Sequence, residues 1–265
     1  MGVDSQKVCL FIPPGLQKFK LNLFERIGEK IGRIVRHDHA LLEKLPDEIM
    51  PIVGCTPALR PLIDGWRSRG RKWIYWDRGY CRRVFATDLP PGVDGGMYRW
   101  HVNAFQLCEI RHLPDDRWLA CKTSVWEWQK NGNHIVVAEP SPTYQRFHGI
   151  EGWTQRTCET LGKITRRKIV TRDKEMQRFS RKLHDDLRGA HALVTHGSNA
   201  AVEAVFMGCP VFVDPCSAAA LVGKTNLDEI EEPIYPDRTA WLHSLSYSQF
   251  SEKELVDGTL WRLIT

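Results

Sequence analysis

The sequence lacks the features that mark membrane-spanning and secreted proteins. No apolar run in its 265 residues approaches the ~20 residues that a membrane-spanning helix needs. The first residues, MGVDSQKVCLF, do not have the basic-then-apolar order of a signal peptide, and Gln6 departs from the myristoylation pattern. We therefore expect a cytoplasmic protein without a membrane partner.

Paired cysteines are absent as well. The chain has eight cysteines, but no two have the C-x-x-C spacing that is common among structural zinc ligands. In a chain without a signal peptide, such cysteines are expected as reduced and mostly buried thiols. The sequence therefore predicts neither a disulfide framework nor a metal site.

The composition is that of an ordinary globular protein, with 42% hydrophobic and 26% charged residues. The net charge of +5 is unevenly distributed: residues 1–130 have 21 basic and 15 acidic side chains (+6), whereas residues 131–265 have 16 and 17 (−1). Residues 60–83 alone contain eight basic side chains against Asp64 and Asp77. This cluster fits either a polyanionic partner or an ordinary solvated surface, and charge alone does not decide between them.

Short apolar runs alternate with amphipathic stretches, an arrangement that is typical of α/β proteins. The alternation occurs twice, and each series predicts four strands with helices between them. The predicted strands are 8–12, 32–36, 50–53 and 72–76 in the first series and 134–138, 168–171, 192–195 and 210–213 in the second. The region between the two series does not follow this alternation.

This repetition predicts an α/β fold with two Rossmann-like domains that face each other across a cleft. We assign residues 1–130 to the first domain and 131–240 to the second, and we expect the helical tail, 241–265, to cross back and pack on the first domain. In open α/β sheets, ligands bind beyond the carboxyl ends of the strands. Polar clusters follow several of the predicted strands, so binding sites are expected there.

The segment after the third strand of the second series has the most specific motif, Thr195-His196-Gly197-Ser198-Asn199. It lies between a buried strand and a helix of small residues, whose unpaired amide groups and dipole favour an anion. Gly197 permits a close approach of the backbone, and Ser198 or Asn199 is suited to cap the helix. On physical grounds alone, an anion site and a plain strand–helix turn remain equally open.

The order of these residues, followed by Glu203 and GCPVFV, resembles the donor-nucleotide region of GT-B-type glycosyltransferases and their epimerase relatives. The resemblance implies that Thr195 to Asn199 bind the diphosphate or the sugar, and that Glu203 accepts hydrogen bonds from the ribose hydroxyls. Ser141, Arg172 and Lys174 follow the neighbouring predicted strands and are expected to add a hydroxyl and two cations to the same crevice. Two cations suit a diphosphate leaving group when no metal is bound, although they also fit a surface charge run.

The resemblance further implies that no metal or other cofactor is required and that the donor is a nucleoside-diphosphate sugar, UDP-linked in our prediction. The pairs nearest to a DxD motif, Asp115-Asp116 and Asp185-Asp186, do not follow a predicted strand. The chain also lacks the E-x(7)-E pairing of retaining GT-B enzymes, because Glu203 stands alone. The stereochemistry of transfer therefore stays open.

The first domain is expected to bind the acceptor. Asp77 follows the strand KWIYW and is our leading general base for the acceptor hydroxyl, and His37 is the alternative. A strand-end aspartate is equally common as a turn former. Nearby aromatic and basic side chains suit base stacking and phosphate contact, or else a packed core strand. The predicted acceptor-binding residues are Arg78, Tyr80, Arg99, Trp100, His101 and Asn103.

Further motifs, GCTPALRP, IYWDRGY, YRWHVNAF and THGSNAAVEA, resemble small glycosyltransferase-like proteins of bacteriophages over roughly residues 50–265. Some phage relatives are implicated in decorating hydroxymethylated pyrimidines in DNA. The resemblance implies a glycosyltransferase that acts in the host cytoplasm on double-stranded DNA, as a monomer or weak dimer. A surface polysaccharide is the alternative acceptor, and a non-catalytic nucleotide- or nucleic-acid-binding protein is the alternative class.

Overall fold

The structure is a computed structural model that describes residues 4–13, 18–31, 33–36, 44–54, 56–83, 96–173 and 182–264. Its contacts divide the chain into two compact units. The first unit combines Met1–Phe105 with Leu245–Thr265, and the second unit is Gln106–Ser244. Each unit has a sheet of its own.

Six strands form the sheet in the described part of the first unit. They are β1 (Val8–Ile12), β2 (Ile34–Arg36), β3 (Met50–Val53), β4 (Ile74–Arg83), β5 (Gly96–Val102) and β10 (Gln249–Ser251). Their order is β10-β5-β4-β3-β1-β2, in which β1 to β4 are parallel and β5 is antiparallel to both of its neighbours. The parallel strand β1 is buried along its whole length, as its continuous apolar sequence VCLFI requires.

Four helices are seen in the described residues of the first unit: α1 (Lys18–Ile31), α2 (Arg60–Ser68), α9 (Glu252–Val256) and α10 (Thr259–Leu263). The last two contribute Leu255, Leu260 and Trp261 to a core that also contains strand residues of β1 and β5. At the start of α9, the Ser251 hydroxyl accepts from the Glu254 amide at 3.3 Å, and the Glu254 carboxylate accepts from the Ser251 amide at 2.8 Å. These two bonds form a capping box, which fixes where α9 begins.

The sheet of the second unit is entirely parallel. Its strands are β6 (His134–Ala138), β7 (Lys168–Arg172), β8 (Ala190–Thr195) and β9 (Val211–Val213), in the order β7-β6-β8-β9. The helices of this part of the chain are α3 (Asp116–Cys121), α4 (Pro142–His148), α5 (Trp153–Ile164), α6 (Leu183–Leu187), α7 (Ala200–Phe206) and α8 (Thr239–Tyr247). The boundary between the two units falls within α8.

Both sheets contain four parallel strands in the same order, with the second strand at one edge, then the first, third and fourth. This is a doubly wound arrangement. The chain runs from the first strand to the second in one direction across the sheet, and from the third strand to the fourth in the opposite direction. The prediction of an α/β fold with two Rossmann-like domains is confirmed. The point between the first and third strands is where such sheets bind ligands.

Two expectations about elements need correction. The fourth strand does not end at Trp76, because β4 continues to Arg83 and pairs with β5. Residues 106–130, which we assigned to the first domain, belong to the second unit. Their backbone is tied to α7 by bonds from the Trp126 amide to the Phe206 carbonyl and from the Gln129 amide to the Gly208 carbonyl, each 2.7 Å.

The segment that contains Trp126 and Gln129 approaches the end of α7 closely at Gly208. Its φ of 72° lies in the left-handed region that glycine adopts without strain. A Cβ at this position would lie 1.9 Å from the Glu127 carbonyl oxygen. Gly208 therefore closes α7, because its backbone conformation and the lack of space for a side chain both favour glycine.

Within the described residues, no helix combines the length and apolar character needed to span a membrane.

Candidate functional site

The carboxyl ends of β6 and β8 meet at the switch point of the second unit. Thr195 ends β8 with a fully buried side chain, and its hydroxyl donates to the Ala138 carbonyl of β6 at 2.7 Å. This bond joins two neighbouring parallel strands at their ends. Its geometry gives Thr195 a structural role, and contact of this residue with a ligand stays a prediction.

His196 follows Thr195 and has protein groups at both ring nitrogens. Its Nε2 lies 3.5 Å from an Asp214 carboxylate oxygen, and its Nδ1 lies 3.2 Å from the Tyr144 hydroxyl. Burial lowers the pKa of His196, and the Asp214 charge opposes this effect only in part. The ring is therefore neutral at neutral pH, with Asp214 and Tyr144 setting its orientation.

Gly197 is required by its neighbours. A Cβ on Gly197 would lie 2.2 Å from the Tyr144 hydroxyl oxygen, which is far inside van der Waals contact. The Gly197 carbonyl accepts a bond of 2.5 Å from the Gln106 side chain, whose oxygen accepts in turn from the Ala218 amide at 2.9 Å. Gln106 is buried and connects the loop after β8 to the segment after β9.

The remaining motif residues start α7. The Ser198 hydroxyl accepts from the Ala200 amide at 3.3 Å, and Asn199 is the N-cap residue, although its side chain makes no capping bond. Glu203 lies in the first turn of this seven-residue helix and is partly exposed. These three residues are the partly exposed members of the predicted donor set on α7 and the turn before it.

Of the expected hydroxyl and cations, the structure places Ser141 and Arg172. Ser141 caps α4 by accepting from the Tyr144 amide at 3.3 Å. Arg172 ends β7 and forms an ion pair with the buried carboxylate of Asp186, which fixes its guanidinium toward the protein. Lys174 lies outside the described residues, so of the two predicted cations only Arg172 can be placed.

A cavity of about 130 Å³ lies at the carboxyl ends of β8 and β9. Its polar contributors include Asp214, which directly follows β9, and Thr225. Trp153, at the start of α5, also lines it. The other lining residues are Val194, Thr195, Phe212, Val213, Pro215 and Leu227.

Asp214 and Trp153 are not among the site residues predicted from the sequence. Asp214 could have been found, because it follows the predicted strand PVFV as an acidic residue at a strand end. Trp153 gave no comparable indication, since a tryptophan at the start of a predicted helix is equally expected in a core.

Aromatic rings surround His196. Tyr144 stacks on His148 with ring centroids 4.1 Å apart, and both rings lie within 6 Å of the His196 ring. Trp153 meets His196 edge-on at 6.3 Å. This cluster combines α4, α5 and the loop after β8 on one side of the switch point.

Cys216 completes the polar group around His196. Its sulfur lies 3.8 Å from both His196 Nδ1 and the Tyr144 hydroxyl. Ligand atoms of His196, Asp214 and Cys216 lie within 4.8 Å of one another, so this is the set of described residues that could bind a metal ion. Burial and the nearby Asp214 carboxylate raise the pKa of Cys216 to about 12, so a metal would have to displace a firmly held thiol proton.

The first unit places Asp77 within β4 and not after a strand. One Asp77 carboxylate oxygen accepts from the Arg99 guanidinium of β5 at 3.1 Å, and the other accepts from the Arg78 amide at 2.8 Å. The Asp77 side chain is 30% exposed, whereas that of Arg99 is 5% exposed. A buried cation thus orients a carboxylate that solvent can still reach.

A bulge brings Tyr80 to the same cluster. The β4–β5 register shifts after Arg78, and Tyr80 then bonds to His101 Nε2 of β5 at 2.8 Å. The Arg99 guanidinium lies 5.4 Å from the Tyr80 ring centroid. Bulges often redirect side chains in this way next to functional sites. Four predicted residues, Asp77, Tyr80, Arg99 and His101, therefore form one cluster.

The other predicted acceptor residues lie elsewhere in the first unit. Trp100 is 1% exposed and packs against Trp76 in the core, so its faces are not available for stacking on a base. Arg78 lies over the Tyr98 ring at 5.5 Å. Asn103 accepts from the Trp73 amide at 3.0 Å and shapes the end of β5. His37 lies outside the described residues.

Part of the basic cluster at 60–83 is bound within the protein. Arg71 donates to the carbonyls of Pro46 and Ile49 at 2.7 and 2.9 Å, and Arg60 pairs with Asp64 at 3.0 Å. The basic side chains of this cluster that are exposed in the described residues are Arg67, Arg69 and Lys72. The surface charge is therefore smaller than the sequence count suggests.

Comparisons with known proteins agree on fold alone. No family model and no curated protein matches the sequence. Among solved structures, the chain is similar to a β-Kdo 2,7 transferase, Thermosulfurimonas dismutans KpsC, with a TM-score of 0.51 and 12% identity over 95% of this chain and 99% of that one. A β-Kdo 2,4 transferase of the same organism's KpsC matches with a TM-score of 0.48 and 10% identity over 92% of each chain.

Proposed function

We propose that this protein is a glycosyltransferase that moves a sugar from a nucleoside-diphosphate donor to a hydroxyl acceptor. The observation behind the proposal is the cavity at the ends of β8 and β9, in a chain whose fold is similar over 95% of its length to a β-Kdo transferase. The cavity lies next to the switch point, where doubly wound sheets bind nucleotides. We propose a UDP-linked donor and a GT-B-like reaction without a metal.

For the donor, we propose that the nucleotide lies along the switch point between β6 and β8. Ser198, Asn199 and Glu203 are partly exposed members of the predicted donor set, as is Ser141 after β6. The loop containing Gly197 is fixed by Gln106 and Tyr144, so its backbone is preorganised before a ligand arrives. Glu203 is proposed to accept hydrogen bonds from the ribose.

For the chemistry, we propose Asp77 as the general base. It would take the proton of the acceptor hydroxyl while that oxygen bonds to the anomeric carbon and the bond to the nucleotide diphosphate breaks. Arg99 fixes the position of the carboxylate through a bond of 3.1 Å. The Tyr80–His101 pair beside it is buried and supports the strands that hold Asp77 and Arg99.

For the acceptor, we propose a hydroxymethylated pyrimidine of phage DNA, supported by the exposed Arg67, Arg69 and Lys72. A glycan acceptor is the second candidate. It is favoured by the internal bonds of Arg71 and by the burial of Trp100, which reduce the surface available for DNA. The structurally similar KpsC is itself described as a Kdo transferase.

The experiment is a transfer assay with a panel of nucleotide sugars. Each donor is incubated with the protein and either hydroxymethyl-pyrimidine DNA or an oligosaccharide, and products are analysed by mass spectrometry for a hexose or pentose increment. Asp77→Asn is expected to lower the transfer rate by about 10²–10⁴-fold, the usual contribution of a general base. An exposed control on the same unit, Asp64→Asn, should retain the wild-type rate.

The possible outcomes separate the candidates. An increment on DNA supports the first acceptor, and an increment on the oligosaccharide supports the second. Donor binding without an increment on any acceptor would instead indicate the non-catalytic class. Wild-type transfer by Asp77→Asn would remove Asp77 as the base without affecting the proposed reaction.

A further inference from the structure

The size of the cavity at β8 and β9 restricts what can enter it. Its volume of about 130 Å³ is well below the ~300–1,000 Å³ that is typical of pockets for drug-sized ligands. A whole nucleotide sugar needs a pocket within this range, so it is too large for the cavity. The cavity therefore accommodates one ring of such a molecule.

The charge of the lining restricts the ligand further. Among the described residues that line the cavity, Asp214 is the one that carries a charge, and no lysine or arginine is present. His196, whose Nε2 lies 3.5 Å from this carboxylate, is not among the residues that line the cavity. A phosphate or a carboxylate in the cavity would face this carboxylate without a compensating cation.

Asp214 has free capacity to accept hydrogen bonds. One oxygen accepts from the Cys216 amide at 2.9 Å, and the other lies 3.5 Å from His196 Nε2. The Cys216 thiol also donates to this carboxylate. A carboxylate offers about four acceptor sites, so one remains for a ligand. The side chain is 38% exposed, and its position is fixed from both sides by the protein.

Trp153 adds an apolar aromatic surface to the cavity lining, whereas Asp214 adds a charged group. The face of an indole ring is electron-rich, and it attracts the weakly positive C–H groups of a saturated ring. Val194, Phe212 and Leu227 make the rest of the lining largely apolar. An aromatic surface and a carboxylate together fit a ring that has C–H faces and hydroxyl edges.

We propose that this cavity binds a single neutral, hydroxylated ring, with Trp153 against its C–H face and Asp214 accepting from one of its hydroxyl groups. The ring is a neutral sugar or the ribose of a nucleoside, and the phosphates of a donor lie outside the cavity. Assigning the ring to a donor substrate rests on the proposed function, whereas binding of the ring does not. The inference also predicts that acidic sugars are excluded.

The test is saturation-transfer difference NMR on the full chain. The probes are the methyl glycosides of glucose, galactose and mannose, the nucleoside uridine, and methyl glucuronide as the matched acidic sugar. We expect transfer to the ring protons of at least one neutral glycoside or to the ribose of uridine, and at least about fivefold weaker binding of methyl glucuronide. A signal from a methyl glycoside identifies the ring as a sugar, and a signal from uridine identifies it as ribose.

Matched variants locate the binding. Trp153→Ala is expected to abolish the signal, and Trp153→Phe to retain part of it. Trp126→Ala is the control, because Trp126 is 52% exposed in the same unit and does not line the cavity. Asp214→Asn removes the charge and keeps an acceptor oxygen, so methyl glucuronide should then bind as well as methyl glucoside.

Three results would each overturn the inference: no signal from any neutral probe, equal binding of methyl glucuronide and methyl glucoside to the wild type, or unchanged signals in Trp153→Ala. The result is independent of the transfer assay. Ring binding without transfer would uphold the inference and reject the proposed function. Transfer in the absence of a saturation-transfer signal from every neutral probe would uphold the proposed function and reject the inference.

Discussion

At the scale of single residues, the region around His196 depends on one missing side chain. Gly197 leaves space for the Tyr144 hydroxyl, which contacts both His196 and Cys216. Replacing this glycine forces the tyrosine to move, and the histidine loses the hydroxyl that lies 3.2 Å from its Nδ1. The packing around Gly197 and the hydrogen bonding of Tyr144 are therefore coupled, because both depend on the absence of a Cβ at this glycine.

Gly197→Ala is expected to lower the free energy of unfolding by about 1–3 kcal/mol, the usual cost of overpacking a tight site. The reason is the contact of 2.2 Å between the new Cβ and the Tyr144 hydroxyl oxygen. Urea denaturation of the single variants Gly197→Ala and Tyr144→Phe and of their double variant measures the coupling. Because Tyr144→Phe removes the clashing oxygen, the double variant should be more stable than additivity predicts.

Gly162→Ala is the matched control, since nothing lies within 4 Å of a Cβ built at this helical position. It should not destabilise the protein, because alanine is the better helix former. If Gly197→Ala and Gly162→Ala behaved alike, the close approach of Tyr144 would not constrain the site.

The pKa of His196 gives a prediction for pH. Because burial lowers this pKa below 6.5, protons bind the unfolded chain more tightly than the folded one. The stability contribution is complete above about pH 6.5 and is lost as the pH falls through this value toward the folded pKa. The urea midpoint should thus decrease between pH 7.5 and pH 5.5, and less so in His196→Gln.

At the scale of elements, the bulge in β4 is supported from a distant part of the chain. The Gln249 side-chain oxygen, on β10, accepts from the buried amides of Tyr80 and Cys81 at 2.8 and 3.0 Å. These amides are released from the β4–β5 ladder where its register shifts. Gln249 therefore stabilises the conformation that brings Tyr80 to His101.

Gln249→Leu is expected to destabilise the protein by about 2 kcal/mol or more, since two buried amides lose their acceptor at about 1–3 kcal/mol each. Gln249→Glu keeps an acceptor oxygen and should cost less. Gln155→Leu, an exposed glutamine on α5, is the matched control and should be close to neutral. Chemical denaturation measures all three, and equal stability of the two leucine variants would contradict this role of Gln249.

At the scale of the whole molecule, the parallel strands were predictable because their apolar runs are local. The strand HIVVA was expected at 134–138, where β6 lies. The second half of β4 was not, because DRGYCRR is polar and its partners Arg99 and Gln249 come from later in the chain. The polar loop after β8 was likewise identified from sequence, but the contacts of Gln106 and Tyr144 that fix Gly197 are tertiary.

The C-terminal residues complete the core of the first unit, and this leads to a prediction about cooperativity. Trp261 is 8% exposed and meets Trp100 at 5.9 Å between ring centroids. Trp261→Ala should cost about 3–5 kcal/mol, as expected for a large buried aromatic side chain. Hydrogen exchange should then show lost protection in β1, β3 and β5, while β6 and β8 stay protected. Trp126→Ala, at an exposed tryptophan of the second unit, should change neither sheet. Equal loss of protection in both sheets of Trp261→Ala would mean that the two units unfold together, because a defect confined to one core would then propagate through the whole chain.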